Sequence, residues 1–305
     1  MTVETTDLRT LRSTLLNEIF FAFNMPKDGW ARRRLWPLFW LPAHVFAKFS
    51  LNFDGIVARE GFDAAARWVL PRFVKQSFSF GEERIPTEGP LLVVSNHPGS
   101  VDALVIASNV HRPDFRIVAS RIPFIMNLPY TAQHMIYSTI HTMDRMAVLR
   151  SSVEHLQDGG SLLLYASGHV DPDPNVLPGA RECLGEWSRS VELLLRKVPQ
   201  TKLVVSIVSN VVGKRYYNHP IMKVQHGYRE KQKLAEFIQM MQQMVFPGTV
   251  NVVPRVSFDS PQTLENLQSQ VNASKPLMHV VIERARLLLQ DHMASNFVHL
   301  ERNRA

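Results

Sequence analysis

Four short apolar runs limit what this chain can fold into: Leu91–Val94, Phe115–Ala119, Ser161–Tyr165 and Lys202–Val208. A strand with one wet face alternates polar and apolar residues, whereas a strand covered on both faces is apolar along its length. Leu91-Leu92-Val93-Val94 is the clearest of the second kind. Helix-like stretches at 100–109, 146–158 and 179–197 separate the runs. Strands alternating with helices predict an α/β fold, with a mostly parallel central sheet flanked by helices. Thr249–Val256 suggests a late strand, and 260–292 has a helical pattern. No internal repeat or low-complexity tract interrupts this organisation.

The first 80 residues differ. Leu35–Ala47 is rich in aromatic residues, contains Pro37 and Pro42, and follows Arg32-Arg33-Arg34. A membrane-spanning helix needs roughly 20 apolar residues in a row, and this run is shorter. Arginines beside Trp36, Phe39 and Trp40 suit an interfacial segment, in which guanidinium groups meet anionic headgroups and indole rings lie at the polar–apolar boundary. The expected organisation is therefore a helical, amphipathic, membrane-associating extension over 1–80 and an α/β domain over 81–305. The competing reading packs the same aromatics against the core. Met1-Thr2-Val3-Glu4 does not open like a cleaved signal peptide.

With 305 residues, 45% of them apolar and 20% charged, the chain can bury a full core, and disorder is not expected. Lys and Arg outnumber Asp and Glu, 34 to 27. The resulting basic surface suits a lipid headgroup layer, a phosphorylated substrate or carrier, or nucleic acid. No zinc module or RNP-like aromatic motif supports the last, and Lys214-Arg215-Tyr216-Tyr217 is only a short patch, so no nucleic-acid partner is expected. Cys183 is the only cysteine, which excludes an intramolecular disulfide and a cysteine-only metal site; it reads as a small buried hydrophobe.

The candidate chemistry follows the first run, in Ser95-Asn96-His97-Pro98-Gly99-Ser100-Val101-Asp102. Ligands of open parallel sheets gather beyond the carboxyl ends of the strands, and a Pro-Gly turn there can open a helix with Asp102 in its first turn. Neutral imidazole suits a general base near pH 7. A carboxylate on its other nitrogen fixes the tautomer and stabilises the imidazolium. Free amides at the helix start, around Asn96, Gly99 and Ser100, would help to hold a phosphate or a developing oxyanion.

Asn96-His97, four intervening residues and Asp102, placed after an apolar strand, resemble the first motif of the glycerolipid acyltransferases, the glycerol-3-phosphate and lysophosphatidic acid acyltransferase superfamily. The resemblance runs from about residue 85 to 212. It implies that His97 is the general base, that Asp102 orients it, and that a fatty acyl thioester on coenzyme A or acyl carrier protein is the donor. A hydroxyl-bearing lysophospholipid or related lipid precursor would be the acceptor, with no metal or organic cofactor.

The second motif is matched by the Asp144-Arg145 ending of Thr139–Arg145, which makes Arg145 the candidate for an acceptor phosphate. The third falls at Tyr165-Ala166-Ser167-Gly168-His169, where Ser167 replaces the family's glutamate and Val170 its basic residue. Ser167, Gly168, His169 and Asp171 would line the acceptor site with altered recognition. The fourth falls near Ser206–Asn210, with serines in place of prolines. The expected location is peripheral or monotopic, on the cytoplasmic face of a membrane.

Three other readings compete. A catalytically altered lipid-binding or scaffold protein would retain the fold without turnover. A metal hydrolase could draw on His97, Asp102, His169, Asp171 and Asp173, but no His-Glu-x-x-His is present. A serine hydrolase lacks the Gly-x-Ser-x-Gly elbow.

Overall fold

The computed structural model describes residues 7–22, 25, 29–138, 142–272 and 276–295. Its centre is a seven-stranded sheet of β1 (Phe78–Phe80), β2 (Leu91–Ser95), β3 (Arg116–Ser120), β4 (Met135–Ser138), β5 (Ser161–Tyr165), β6 (Lys202–Ser209) and β7 (Arg255–Phe258). The spatial order is β1-β7-β6-β2-β5-β3-β4. All pairings are parallel except β6 with β7. The expected mostly parallel sheet is thus present, with β2 at its middle.

Period-2 alternation divides the strand residues between two cores. Leu91 and Val93 of β2, Leu163 of β5 and Val204 and Val208 of β6 enter one core; Leu92, Val94, Leu162, Leu203, Val205 and Ile207 enter the other. Both faces are therefore dry, which explains the unbroken apolar runs. The principal helices are α1 (Leu8–Ala22), α2 (Trp30–Glu60), α3 (Phe62–Phe73), α4 (Asp102–Ala107), α5 (Thr142–Gln157), α6 (Ser190–Lys197), α7 (Tyr228–Val245) and α8 (Leu277–Ala294). Helices α2, α3, α4 and α7 cover the first face, and α5, α6 and α8 the second.

Helix α2 runs through both prolines for 31 residues. An interior proline forfeits a helix hydrogen bond and costs about 3 kcal/mol, so tertiary contacts must hold this helix together. Ala43 and Ala47, fully covered, let α1 approach closely and pack Leu11, Leu15, Leu16 and Phe20 against α2. Farther along, the buried Asp54 carboxylate accepts the Thr131 amide and hydroxyl, both at 2.7 Å, fastening α2 to the loop before β4. The sheet begins with β1 at residue 78, just after these helices.

Two expectations at the C-terminal end change. The late strand occupies Arg255–Phe258 instead of 249–256 and runs antiparallel to β6. The stretch 260–292 divides into a short helix at Leu264–Gln268 and α8, because Pro276, with φ −64°, starts a new helix. Helix α7 and strands β1 and β4 had no sequence assignment. Leu163 is fully buried beneath the site. Leu163→Ala should destabilise the fold by about 2–5 kcal/mol, read as a lower denaturation midpoint at unchanged slope in urea titration.

Candidate active site

At the C-terminal end of β2 the chain turns through Pro98 and Gly99 into α4, whose first residue is Asp102. The Asp102 side chain is completely buried and accepts three hydrogen bonds. His97 Nδ1 lies 2.9 Å from Oδ2, the Gly99 amide donates to Oδ2 at 3.0 Å, and the Tyr165 hydroxyl donates to Oδ1 at 2.5 Å. Bonding to Asp102 leaves the imidazole's other nitrogen for chemistry. The Tyr165 ring stacks on the imidazole at 4.1 Å between centroids. Strand pairing Ser95↔Tyr165 puts that ring beside the turn.

Burial pushes the His97 pKa down, but the carboxylate of Asp102, aided by Glu236 and Asp171, more than reverses this and leaves it above 6.5. Burial, together with the Asp102 charge, holds the Tyr165 phenol well above the ordinary tyrosine range.

The residues expected to touch substrate divide into distinct groups. Asn96 is buried; its side chain donates to the Val208 carbonyl and accepts the Val208 amide, both at 2.8 Å, clasping β2 to β6. Ser167 donates to Asp171, and Asp171 accepts the His97 amide at 2.9 Å while its own amide donates to the His97 carbonyl at 2.8 Å. The Ser167 and Asp171 side chains thus support the His97 backbone. Gly168 adopts φ +72°, which permits the turn between them. His169 is half-buried and pairs with Glu186 at 2.8 Å, with Arg229 at 2.9 Å from the same ring nitrogen. The Arg145 side chain lies outside the described residues.

The expected free amides at the start of α4 are already engaged. Asp102 takes the Gly99 amide, and Glu236 from α7 takes the Ser100 amide at 2.5 Å and the Ser100 hydroxyl at 3.3 Å. Glu236 is buried, and that burial together with the Asp102 charge pushes its pKa up to about 7. Sequence reasoning missed Glu236, Tyr165 as the second donor to Asp102, and Gln232. The last donates to the Pro98 and Asp171 carbonyls at 2.6 and 2.7 Å.

His97, Ser100 and Glu236 line a cavity of about 590 Å³. Its other walls are mostly apolar: Leu15 and Ile19 of α1, Phe46, Phe49 and Phe53 of α2, Phe73 of α3, and Phe237, Met240 and Met244 of α7. Among the described residues, no group of three His, Cys, Asp or Glu side chains is arranged to hold a metal ion.

Residues 78–188, from β1 through Ser188, match the family model described as Acyltransferase. That match covers little more than a third of the chain. It agrees with the superfamily resemblance of the Asn96–Asp102 segment. The chain is also similar to the crystal structure of the 1-acyl-sn-glycerophosphate (LPA) acyltransferase PlsC from Thermotoga maritima, at 12% identity and a TM-score of 0.44, over 95% of this chain and 97% of that one. No curated protein sequence matches the chain.

Within the matched segment, Gly99 is held tightly. A Cβ there would lie 2.6 Å from Glu236 Oε1 and 2.9 Å from Cδ. Glu236 is fixed by Ser100 and cannot retreat freely. Gly99→Ala should therefore destabilise the protein by about 1–3 kcal/mol and lower turnover, measured by thermal melting alongside the acyl-transfer assay.

Proposed function

We propose that this protein is an O-acyltransferase that moves a fatty acyl group from a thioester, on coenzyme A or acyl carrier protein, to a hydroxyl of a lysophospholipid or related lipid precursor. The observation that carries this reading is the His97–Asp102 pair opening onto a large apolar cavity. A base with an orienting carboxylate activates a hydroxyl, and an apolar chamber accepts an alkyl chain.

In this mechanism, neutral His97 takes the acceptor hydroxyl proton as the oxygen attacks the thioester carbonyl carbon. Asp102 stabilises the imidazolium and keeps the tautomer correct. The tetrahedral intermediate collapses, the carbon–sulfur bond breaks, and the imidazolium returns the proton to the departing thiolate. No serine nucleophile, metal or organic cofactor takes part. His169, within the Ser167–Asp171 loop that braces His97, and Arg229 beside that loop offer hydrogen-bonding contacts to an acceptor headgroup, and Arg229 a cationic one; Arg145 remains a candidate for the same task.

Purified protein incubated with labelled acyl-CoA or acyl carrier protein and a panel of lysolipids should give an acylated product. His97→Ala should abolish it while remaining folded, and Asp102→Asn should reduce it by at least about 10²-fold. An active His97→Ala variant would end this mechanism. A folded wild type that binds lipid without turnover would favour the lipid-binding scaffold. Because neutral His97 is required and its pKa is raised, kcat/KM should be full at alkaline pH and fall as pH drops through a value above 6.5; a midpoint below 6.5 would contradict this.

The membrane surface is the proposed site of action. No described helix is long and apolar enough to cross a membrane. On α2, Trp36, Leu38 and Leu41 are 43%, 66% and 51% exposed, close in sequence to the exposed Arg33 and Arg34. Phe39 instead packs on Phe20, and Trp40 stacks on His44 beneath Arg12, so the two readings of this segment each describe some of its aromatics. Replacing Trp36, Leu38 and Leu41 together with Ser should weaken sedimentation with anionic liposomes at unchanged fold; full retention would exclude this face as the contact.

A further inference from the structure

Glu236 lies outside the matched acyltransferase segment, on a different helix from the His–Asp pair, yet it forms part of the same cavity wall. Its carboxylate is buried, bonded to both the amide and the hydroxyl of Ser100, and in contact range of the Gly99 backbone. Among the described residues no cation forms an ion pair with it; Lys233, one turn earlier on α7, pairs with Glu230 at 3.2 Å. An unpaired buried carboxylate is costly to keep in a fold, and an amide side chain could still have accepted the Ser100 amide on its oxygen while its nitrogen donated to the Ser100 hydroxyl. Charge is what glutamate adds.

We propose that Glu236 is a positioning residue of this site: from α7 it braces the Gly99–Ser100 turn and supplies, beside Asp102, a second negative charge to the imidazole of His97. The groups facing His97 are Asp102 from α4, Glu236 from α7, Asp171 from the loop after β5, and the Tyr165 phenol at the end of β5. Lys233 and Glu18 also line the cavity. Asp102 sets the tautomer by direct hydrogen bonding. Glu236 makes no such bond to the ring and acts through the field it creates, which favours the imidazolium that forms as the acceptor loses its proton. Burial and Asp102 push the Glu236 pKa up to about 7, so its charge grows as pH rises through that value.

The kinetic half of this inference rests on the proposed acyl transfer; the electrostatic half does not. Glu236→Gln keeps the shape and the acceptor for Ser100 but removes the charge. His97 is followed by NMR titration of histidine-labelled protein, its signal among the 12 histidines assigned by its loss in His97→Gln. In Glu236→Gln the His97 midpoint should fall by about one unit, and the acid limb of kcat/KM should move down with it. At the alkaline plateau kcat should drop up to about tenfold, with KM little changed. A purely structural Glu236 would leave the midpoint in place, and an unmoved midpoint in folded Glu236→Gln overturns the proposal. If that variant does not fold, Glu236→Asp retains the charge one methylene farther away; a smaller downward shift supports the proposal and none overturns it. Wild-type protein without turnover would sink the acyltransferase reading, while the NMR midpoint would still decide the role of Glu236.

Discussion

The buried carboxylate of Asp102 is the constraint around which the site is arranged. A charge removed from water costs several kcal/mol unless hydrogen bonds replace its hydration. Here the replacements come from separate elements: a ring nitrogen and an amide from the turn after β2, and a phenol from the end of β5. These donors converge only if β2 and β5 are in parallel register and α4 starts within three residues of Gly99. The apolar runs that build the middle of the sheet are therefore also what bring His97 to its carboxylate. A register slip of one residue would reverse every side chain of β2 and dissolve both core and site together.

A second device fixes the loops at the same end of the sheet. Helix α7 presents Gln232, Glu236, Gln239 and Gln243 along one buried stripe, spaced by four, three and four residues. Gln232 holds the Pro98 and Asp171 carbonyls, Glu236 holds Ser100, Gln239 holds the Gly213 amide and the Val211 carbonyl, and Gln243 donates to the Phe73 carbonyl. Loop backbone without ladder partners must be satisfied somewhere, and this stripe does so where water is excluded. Asp173 works in the same way from the other side, accepting the amides of Asn210, Val211 and Val212. The site thus stands on loops that side chains hold nearly as firmly as sheet hydrogen bonds would.

That architecture explains what could be read from the sequence. The central strands were legible because burial on both faces leaves an apolar run, and the His97–Asp102 spacing because a strand, a Pro-Gly turn and a helix follow in order. Strands β1 and β4 are short and lie at the sheet's margins, partly exposed, so burial left no strong pattern in them. Helix α7 was hidden for the opposite reason. Its buried stripe is largely polar, and hydrophobic periodicity is blind to a face that serves hydrogen bonding. Asn96, Ser167 and Asp171 were located in the right neighbourhood, but composition does not reveal whether a polar side chain faces a ligand or the backbone behind it. Glu236, 134 residues beyond Asp102 in sequence, had no local signal at all.

The electrostatics also bear on how substrates enter. On the proposed reading, the cavity beside His97 receives the alkyl chain, and apart from His97 and the half-exposed Lys233 its ionisable groups are acidic: Glu236 near the base and Glu18 on α1, whose pKa burial also raises. An anionic headgroup driven into such a chamber would lose its hydration and meet carboxylates instead of cations. The cationic side chains are turned partly to solvent, with Arg229 beside the Ser167–Asp171 loop and Lys233 half-exposed at the cavity wall. A lipid that inserts its chain while leaving its phosphate or carrier outside satisfies both halves of this charge distribution. On that reading, a wrongly oriented lipid would be selected against by desolvation before any specific contact to the headgroup is made.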